Sequence, residues 1–175
     1  MMGNRAYYAN RQLVNSSLIS RNSKLQIYRT LVRPVVTCGS ESWTITMGGE
    51  TALAVFERKI LQKIYGQVKE NVLWRIRRDD ELEAIIKGEN IVRFIKCQRI
   101  RWLCHIERMQ DTAIPKKMLN GQMYATRRRA RPKMRWLDDV STDLRKMGIN
   151  EWRDRARDRE AWRRIVKEAK AHPGL

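Results

Sequence analysis

Acidic residues are scarce in this sequence: 19 Asp+Glu stand against 37 Lys+Arg, leaving a formal net charge of +18 over 175 residues. Such an excess on a small chain implies a polyanionic partner or an anionic surface. Cysteine is equally sparse. Cys38, Cys97 and Cys104 are an odd number and too few for a disulfide scaffold, so they fit a reducing compartment. Long apolar runs are missing. The longest candidate, residues 31–36, is interrupted by Arg33 and Pro34, far short of the ~20 residues that span a bilayer. The opening Met1-Met2-Gly3-Asn4-Arg5 lacks an apolar signal core, and Tyr8 stands where a myristoylation motif wants Ser or Thr. These absences disfavour a secreted or membrane-spanning protein. They point to an intracellular chain, nuclear or cytoplasmic, without a membrane partner. Nucleophile elbow, P-loop, GxGxxG and paired histidines are all absent, so nothing reads as a self-sufficient active site.

What is present suits a folded, nucleic-acid-directed chain. Hydrophobic residues make up 42% and there are six Trp, which argues against wholesale disorder. Arg outnumbers Lys 25 to 12; its planar fork suits phosphate and its face suits bases, so nucleic acid is favoured over membrane adhesion. The charge is uneven. Between Lys96 and Trp136, twelve basic residues meet only Glu107 and Asp111.

Apolar periodicity predicts an all-α chain. A short helix is expected over residues 4–16, around Tyr7, Tyr8 and Leu13. Ser20 or Ser23 caps a second helix that Pro34 kinks or ends. Gly48-Gly49 reads as a loop. Leu53, Phe56, Ile60, Leu61 and Ile64 mark a third helix stopped by Gly66. Asp79-Asp80-Glu81 opens a short helix ending at Lys87-Gly88. The longest pattern runs from Ile91 to Met109, with Arg93, Lys96, Arg99, Arg101 and Arg108 filling the surface beside its apolar stripe. Pro115 and residues 120–132 read as loop. Trp136 to Met147 form a helix closed by Gly148. Asn150 caps a last helix bearing Trp152, Ala156, Trp162, Val166 and Ala169. No alternation long enough for a sheet is evident. Two units are expected, residues 1–88 and 89–175, the second with an extended arm near 120–133.

The sharpest local feature is Arg127-Arg128-Arg129-Ala130-Arg131-Pro132-Lys133. Such an arm can follow phosphates or enter a minor groove. It resembles an AT-hook core with Ala130 in place of the usual Gly. A nuclear-localisation signal and a solvated loop are the other readings. On the long helix, Trp102 and His105 are three residues apart and flanked by Arg99, Arg101 and Arg108, a possible stacking platform. The blander reading puts Trp102 in the core and His105 in a structural hydrogen bond. Lys116, Lys117 and Arg135 extend the basic region. Cys97, Cys104 and His105 lack zinc spacing, so buried thiols and no metal are expected. Asp79-Asp80 and Asp138-Asp139 read as helix-start acids rather than a two-metal site. No cofactor is expected.

Several blocks together resemble the C-terminal part of non-LTR (LINE-type) retrotransposon reverse transcriptases, closest to the RTE group. They are Lys24-Leu25-x-x-Tyr28-x-x-Leu31-Val32-x-Pro34, Gly39-Ser40-Glu41-x-Trp43 and Phe56-Glu57-Arg58-Lys59-Ile60-Leu61-x-Lys63-Ile64-Tyr65-Gly66, then Arg101-Trp102-Leu103-x-His105-x-x-Arg108-Met109. Arg128-Arg129-x-Arg131-Pro132-x-x-Arg135-Trp136, Asp158-Arg159-x-x-Trp162-Arg163 and His172-Pro173-Gly174-Leu175 follow. The ordered set covers almost the whole chain. The resemblance implies a thumb-like helical bundle, followed by a linker that holds template RNA and target DNA through its long basic helix, basic loop and two C-terminal helices. It also implies a polymerase palm upstream. The family's catalytic Asp-Asp turn and endonuclease have no counterpart here, so this chain alone is read as non-catalytic. Cys38, Cys104 and Ala130 depart from the family's Tyr, Gly and Gly. The other reading is a helical protein-interaction module that docks on the missing palm or a host partner.

Overall fold

The structure is a computed structural model that describes residues 2–70, 73–86, 89–121, 135–172 and 174–175. It is mostly helical, 72% helix against 5% strand, with one small two-stranded sheet. Its contacts divide it into two compact units, Met1–Gly39 with Glu50–Ile91, and Ser40–Gly49 with Val92–Leu175. The division falls at 91/92 rather than 88/89, and the stretch 40–49 belongs with the later residues.

The first unit opens with α1 (Met2–Ala9), α2 (Arg11–Asn15) and α3 (Arg21–Ile27). Ser20 caps α3, its hydroxyl accepting the Ser23 N–H at 3.1 Å. The chain then winds as a π-helix over Tyr28–Val32 before α4 (Arg33–Val36). Pro34 explains the change of register. It has no N–H for the Thr30 carbonyl and its ring would clash there, so the wider turn re-routes the ladder and Arg33 donates to Tyr28. Helix α5 (Met47–Tyr65) begins earlier than its apolar pattern announced. Gly48 and Gly49 lie inside its first turn, not in a loop. Gly66, at φ +70°, ends it as expected and donates to the Gln62 carbonyl at 2.9 Å. A hairpin follows, β1 (Gln67–Glu70) and β2 (Leu73–Ile76), then α6 (Asp79–Ile85). The hairpin was not foreseen, because four-residue strands with mixed polarity carry almost no alternation signal. Tyr7, Val14, Tyr28, Val32, Ile60, Leu61, Ile64 and Leu82 meet in this unit's core.

Glu57 lies inside that core, only 4% exposed. One oxygen accepts the Tyr28 hydroxyl and the other the Ile91 N–H, both at 2.7 Å. The carboxylate thus serves an orphan donor at the start of the next helix, α7 (Ile91–Glu107). Burial pushes its pKa up against the pull of those hydrogen bonds and of Arg33 and Arg29. Burial, followed by the neighbouring Glu57 charge, pushes the Tyr28 hydroxyl up as well.

In the second unit, α7 is followed by α8 (Ile114–Asn120), α9 (Trp136–Lys146), α10 (Trp152–Arg157) and α11 (Arg159–Ala171). Pro115 sits in the first turn of α8, where its missing N–H is harmless, so this stretch is helix rather than loop. The single C-terminal helix of the sequence reading is two. The chain breaks at Asp158, whose carboxylate accepts the Glu160 N–H at 2.9 Å and restarts the helix. Glu151, not Asn150, flanks α10. Gly148, at φ +75°, closes α9 as expected. Ile100, Leu103, Val140, Leu144, Trp152, Trp162, Ile165 and Val166 fill the core. The stretch 40–49 is hung on α9: the Trp136 indole donates to the Glu41 carbonyl at 2.8 Å, and the Ile45 N–H to Asp139 at 3.1 Å.

Candidate nucleic-acid interface

Helix α7 does not show all its cations to solvent. Arg93, Lys96 and Arg99 are buried, Arg99 completely. The guanidinium of Arg99 lies 2.5 Å from Asp139 and 3.6 Å from Asp143, and Lys96 lies 3.8 Å from Asp143. Lys146 approaches the same carboxylate at 3.9 Å. Burial pushes the Asp143 carboxyl up, against the pull of Lys96 and Arg99. The expectation that Arg99 contacts nucleic acid, and that Arg93 and Lys96 lie on the surface, is therefore corrected. Asp139 and Asp143, one turn apart on α9, draw Arg99 inward. Asp138 remains a helix-start acid, accepting the Arg135 N–H at 3.3 Å, while Asp139 serves the ion cluster. On the first unit, Asp79 meets Arg58 at 2.7 Å, and Glu81 accepts the Arg78 N–H at 2.8 Å.

The rest of α7 behaves differently. Arg101, His105 and Arg108 are exposed at i, i+4 and i+7, so they share one stripe. Trp102 is half-buried beside it, its ring centroid 5.1 Å from that of His105, the planes tilted by 35°. Arg101 also donates to the Gln98 side chain at 3.2 Å, and Arg108 reaches back to the Ala156 carbonyl at 3.4 Å. Lys116 is largely occupied. It donates to the carbonyls of Glu107 and Met109 at 2.8 and 3.1 Å and pairs with Asp111 at 3.1 Å, closing the C-terminal end of α7. Lys117 and Arg135 are exposed. Arg127, Arg128, Arg129, Arg131 and Lys133 lie outside the described residues.

A second row of cations escaped the sequence reading. On α11, Arg159, Arg163, Lys167 and Lys170 are exposed at i, i+4, i+8 and i+11, along one edge of the buried stripe of Trp162, Val166 and Ala169. That spacing was visible in the sequence, hidden only by the interspersed Glu160 and Glu168. Trp162 pins α11 to α7 through an indole hydrogen bond to the Ile100 carbonyl, 3.1 Å. The two thiols mark the seam. Lys170 and Arg101 both lie in electrostatic reach of Cys97, and Arg108 and Arg159 of Cys104. The helices therefore run antiparallel, bringing the two rows to one seam. Burial pushes the Cys97 thiol up to about 11 and raises that of Cys104, so both stay protonated at neutral pH. Among the described residues no three His, Cys, Asp or Glu side chains gather as a metal site. Among them, too, no helix is long and apolar enough to cross a membrane.

A curated protein of Caenorhabditis elegans, described as an uncharacterized transposon-derived protein, is 19% identical to this chain over 157 residues. The match covers 86% of this chain and 56% of that protein, so the chain spans little more than half the relative's length. No protein-family model matches the chain, and no solved structure does.

Proposed function

We propose that this chain is a helical nucleic-acid-binding region of a retrotransposon reverse transcriptase, of the non-LTR, RTE-like kind. It holds RNA or DNA through phosphates, largely without reading sequence. It is non-catalytic by itself and works beside a polymerase palm. The observation that carries the reading is the pair of cationic rows on α7 and α11, converging on one seam in a chain of net charge +18. Antiparallel rows of this kind suit the two sides of a phosphate backbone, and the Trp102–His105 pair adds a surface against which a base can stack. Similarity to a transposon-derived protein supports the same origin. The basic arm at 127–133 adds five cations from sequence alone.

Salt titration of binding to an RNA hairpin and to duplex DNA tests this. The logarithm of affinity should fall steeply with the logarithm of salt. Neutralising Arg101→Gln and Lys167→Gln should each reduce that slope by about 1 and weaken both ligands alike. A slope near zero in the wild type, or no binding at low salt, would remove the reading.

A further inference from the structure

The hairpin carries a surface that the interface above leaves unused. Its register pairs Gln67 with Ile76, Val68 with Arg75, Lys69 with Trp74 and Glu70 with Leu73. Side chains alternate across a strand, so Gln67, Lys69, Trp74 and Ile76 share one face, and Val68, Glu70, Leu73 and Arg75 the other. The two faces have different fates. Arg75 binds Glu70 across the strands and clasps Glu81 of α6 bidentately at 2.6 and 2.9 Å. Both neighbouring acids are thereby gathered on the Arg75 side and tied to the unit's own helix. The Arg75 contacts hold the Glu81 carboxyl at about 2, so it stays ionised and engaged.

The opposite face is left bare. All four of its residues are exposed, Trp74 by 65% and Ile76 by 60%. Lys69 is its one charge, directly across from the indole. Arg78, exposed, follows just beyond the strand. Keeping a large aromatic and an aliphatic residue in water contributes nothing to folding, since covering either would gain about 1.5–3 kcal/mol. Segregating the acids to the other side makes this face positive, which suits a polyanion. An exposed indole on a two-stranded ribbon suits a planar group.

We propose that the Trp74 face is a stacking platform for an unpaired base of a single-stranded nucleic acid, with Lys69 meeting the adjoining phosphate. The inference rests on the nucleic-acid reading above and adds to it a site in the other unit, with a preference for unpaired over paired bases. Duplex bases are already stacked and cannot present their faces to it, whereas any single-stranded base can.

The test is fluorescence anisotropy of the full chain with a labelled oligouridine and with a duplex of equal length. Trp74→Leu should weaken oligouridine binding by roughly 5- to 150-fold, the range for loss of one aromatic stack. Trp74→Phe should keep most of the affinity, and Lys69→Glu should lose part of it. Duplex affinity should stay within about twofold in both Trp74 variants. Because Trp74 is exposed, thermal melting should not move, which separates loss of the platform from loss of the fold. If oligouridine affinity is unchanged while the wild type binds duplex, the platform alone is overturned and the face belongs to a protein partner. An equal loss on both ligands also overturns it. If the wild type binds neither ligand, the parent reading falls and the platform with it.

Discussion

Each unit buries a carboxylate, and the two solve the same problem differently. Glu57 is held by neutral donors, the Tyr28 hydroxyl and the Ile91 N–H. Asp143 is held by cations, with Lys96, Arg99 and Lys146 within 4 Å. Burial raises both carboxyls. The first arrangement anchors a helix start; the second uses up basic residues that the sequence offered as surface charge. The lesson is that a count of Lys and Arg bounds the surface charge from above. What reaches solvent depends on where the acids fold. The contrast breaks most sharply at Arg99. Arg99→Ala leaves the buried Asp143 and the half-buried Asp139 with weaker compensation and opens a cavity, so stability should fall by about 3–5 kcal/mol in urea denaturation. A loss below about 1 kcal/mol would mean that Lys96 and Lys146 suffice and that the cluster is not cooperative.

A gentler probe sits in the first unit. A glutamate in the unfolded chain titrates near 4.5, and burial raises Glu57 above that in the fold. The folded state therefore holds this proton more tightly than the unfolded state. Its contribution is fully present below about pH 4.5 and is lost as pH rises through the folded value. Glu57→Gln has nearly the same shape and cannot titrate. The melting temperature of the variant minus that of the wild type should thus increase from about pH 4 to about pH 7, each tenfold difference in proton affinity being worth about 1.4 kcal/mol. Asp143 is untouched by this change, so its own titration stays in both proteins and cancels. A difference independent of pH would show that Tyr28 and Ile91 compensate the burial in full.

Local chemistry made much of the fold legible. Ser20, one of the two serines offered as a cap, starts α3, and Gly66 and Gly148 announced helix ends, because a capping hydroxyl and a positive φ are decided by one or two residues. The stripe of Trp162, Val166 and Ala169 gave the buried side of α11. The largest failure is non-local, and others are local. Nothing near Arg99 says that Asp139 and Asp143, some forty residues on, will claim it. Asp158 breaks a helix whose apolar periodicity runs straight through it, since a cap overrides a pattern that both halves still satisfy. The site was half legible for the same reason. Arg101, His105 and Arg108 do share a stripe with Trp102 beside it, but the facing row on α11 becomes its neighbour only through the Trp162–Ile100 hydrogen bond and the thiol seam.

The smallest expected effect tests the opposite end of the scale from Arg99. Glu160 pairs with Arg163 at 2.8 Å, both side chains lying largely in water at 69% and 77% exposure. Solvent screening leaves such a pair a few tenths of a kcal/mol, and the acid's favourable place in the first turn of α11 adds a comparable amount. Glu160→Ala should therefore cost less than about 1 kcal/mol by denaturation, against the several expected for Arg99. The same substitution removes an acid from beside the α11 row and releases Arg163 from it, so duplex and hairpin affinity should rise by about twofold or more, with a steeper salt slope. Stability and affinity would then move in opposite directions at one residue. That separates charge used to hold the fold from charge held out to a ligand. Weakened binding in this variant would show that the α11 row is not where phosphates lie, and would leave the α7 stripe to act alone.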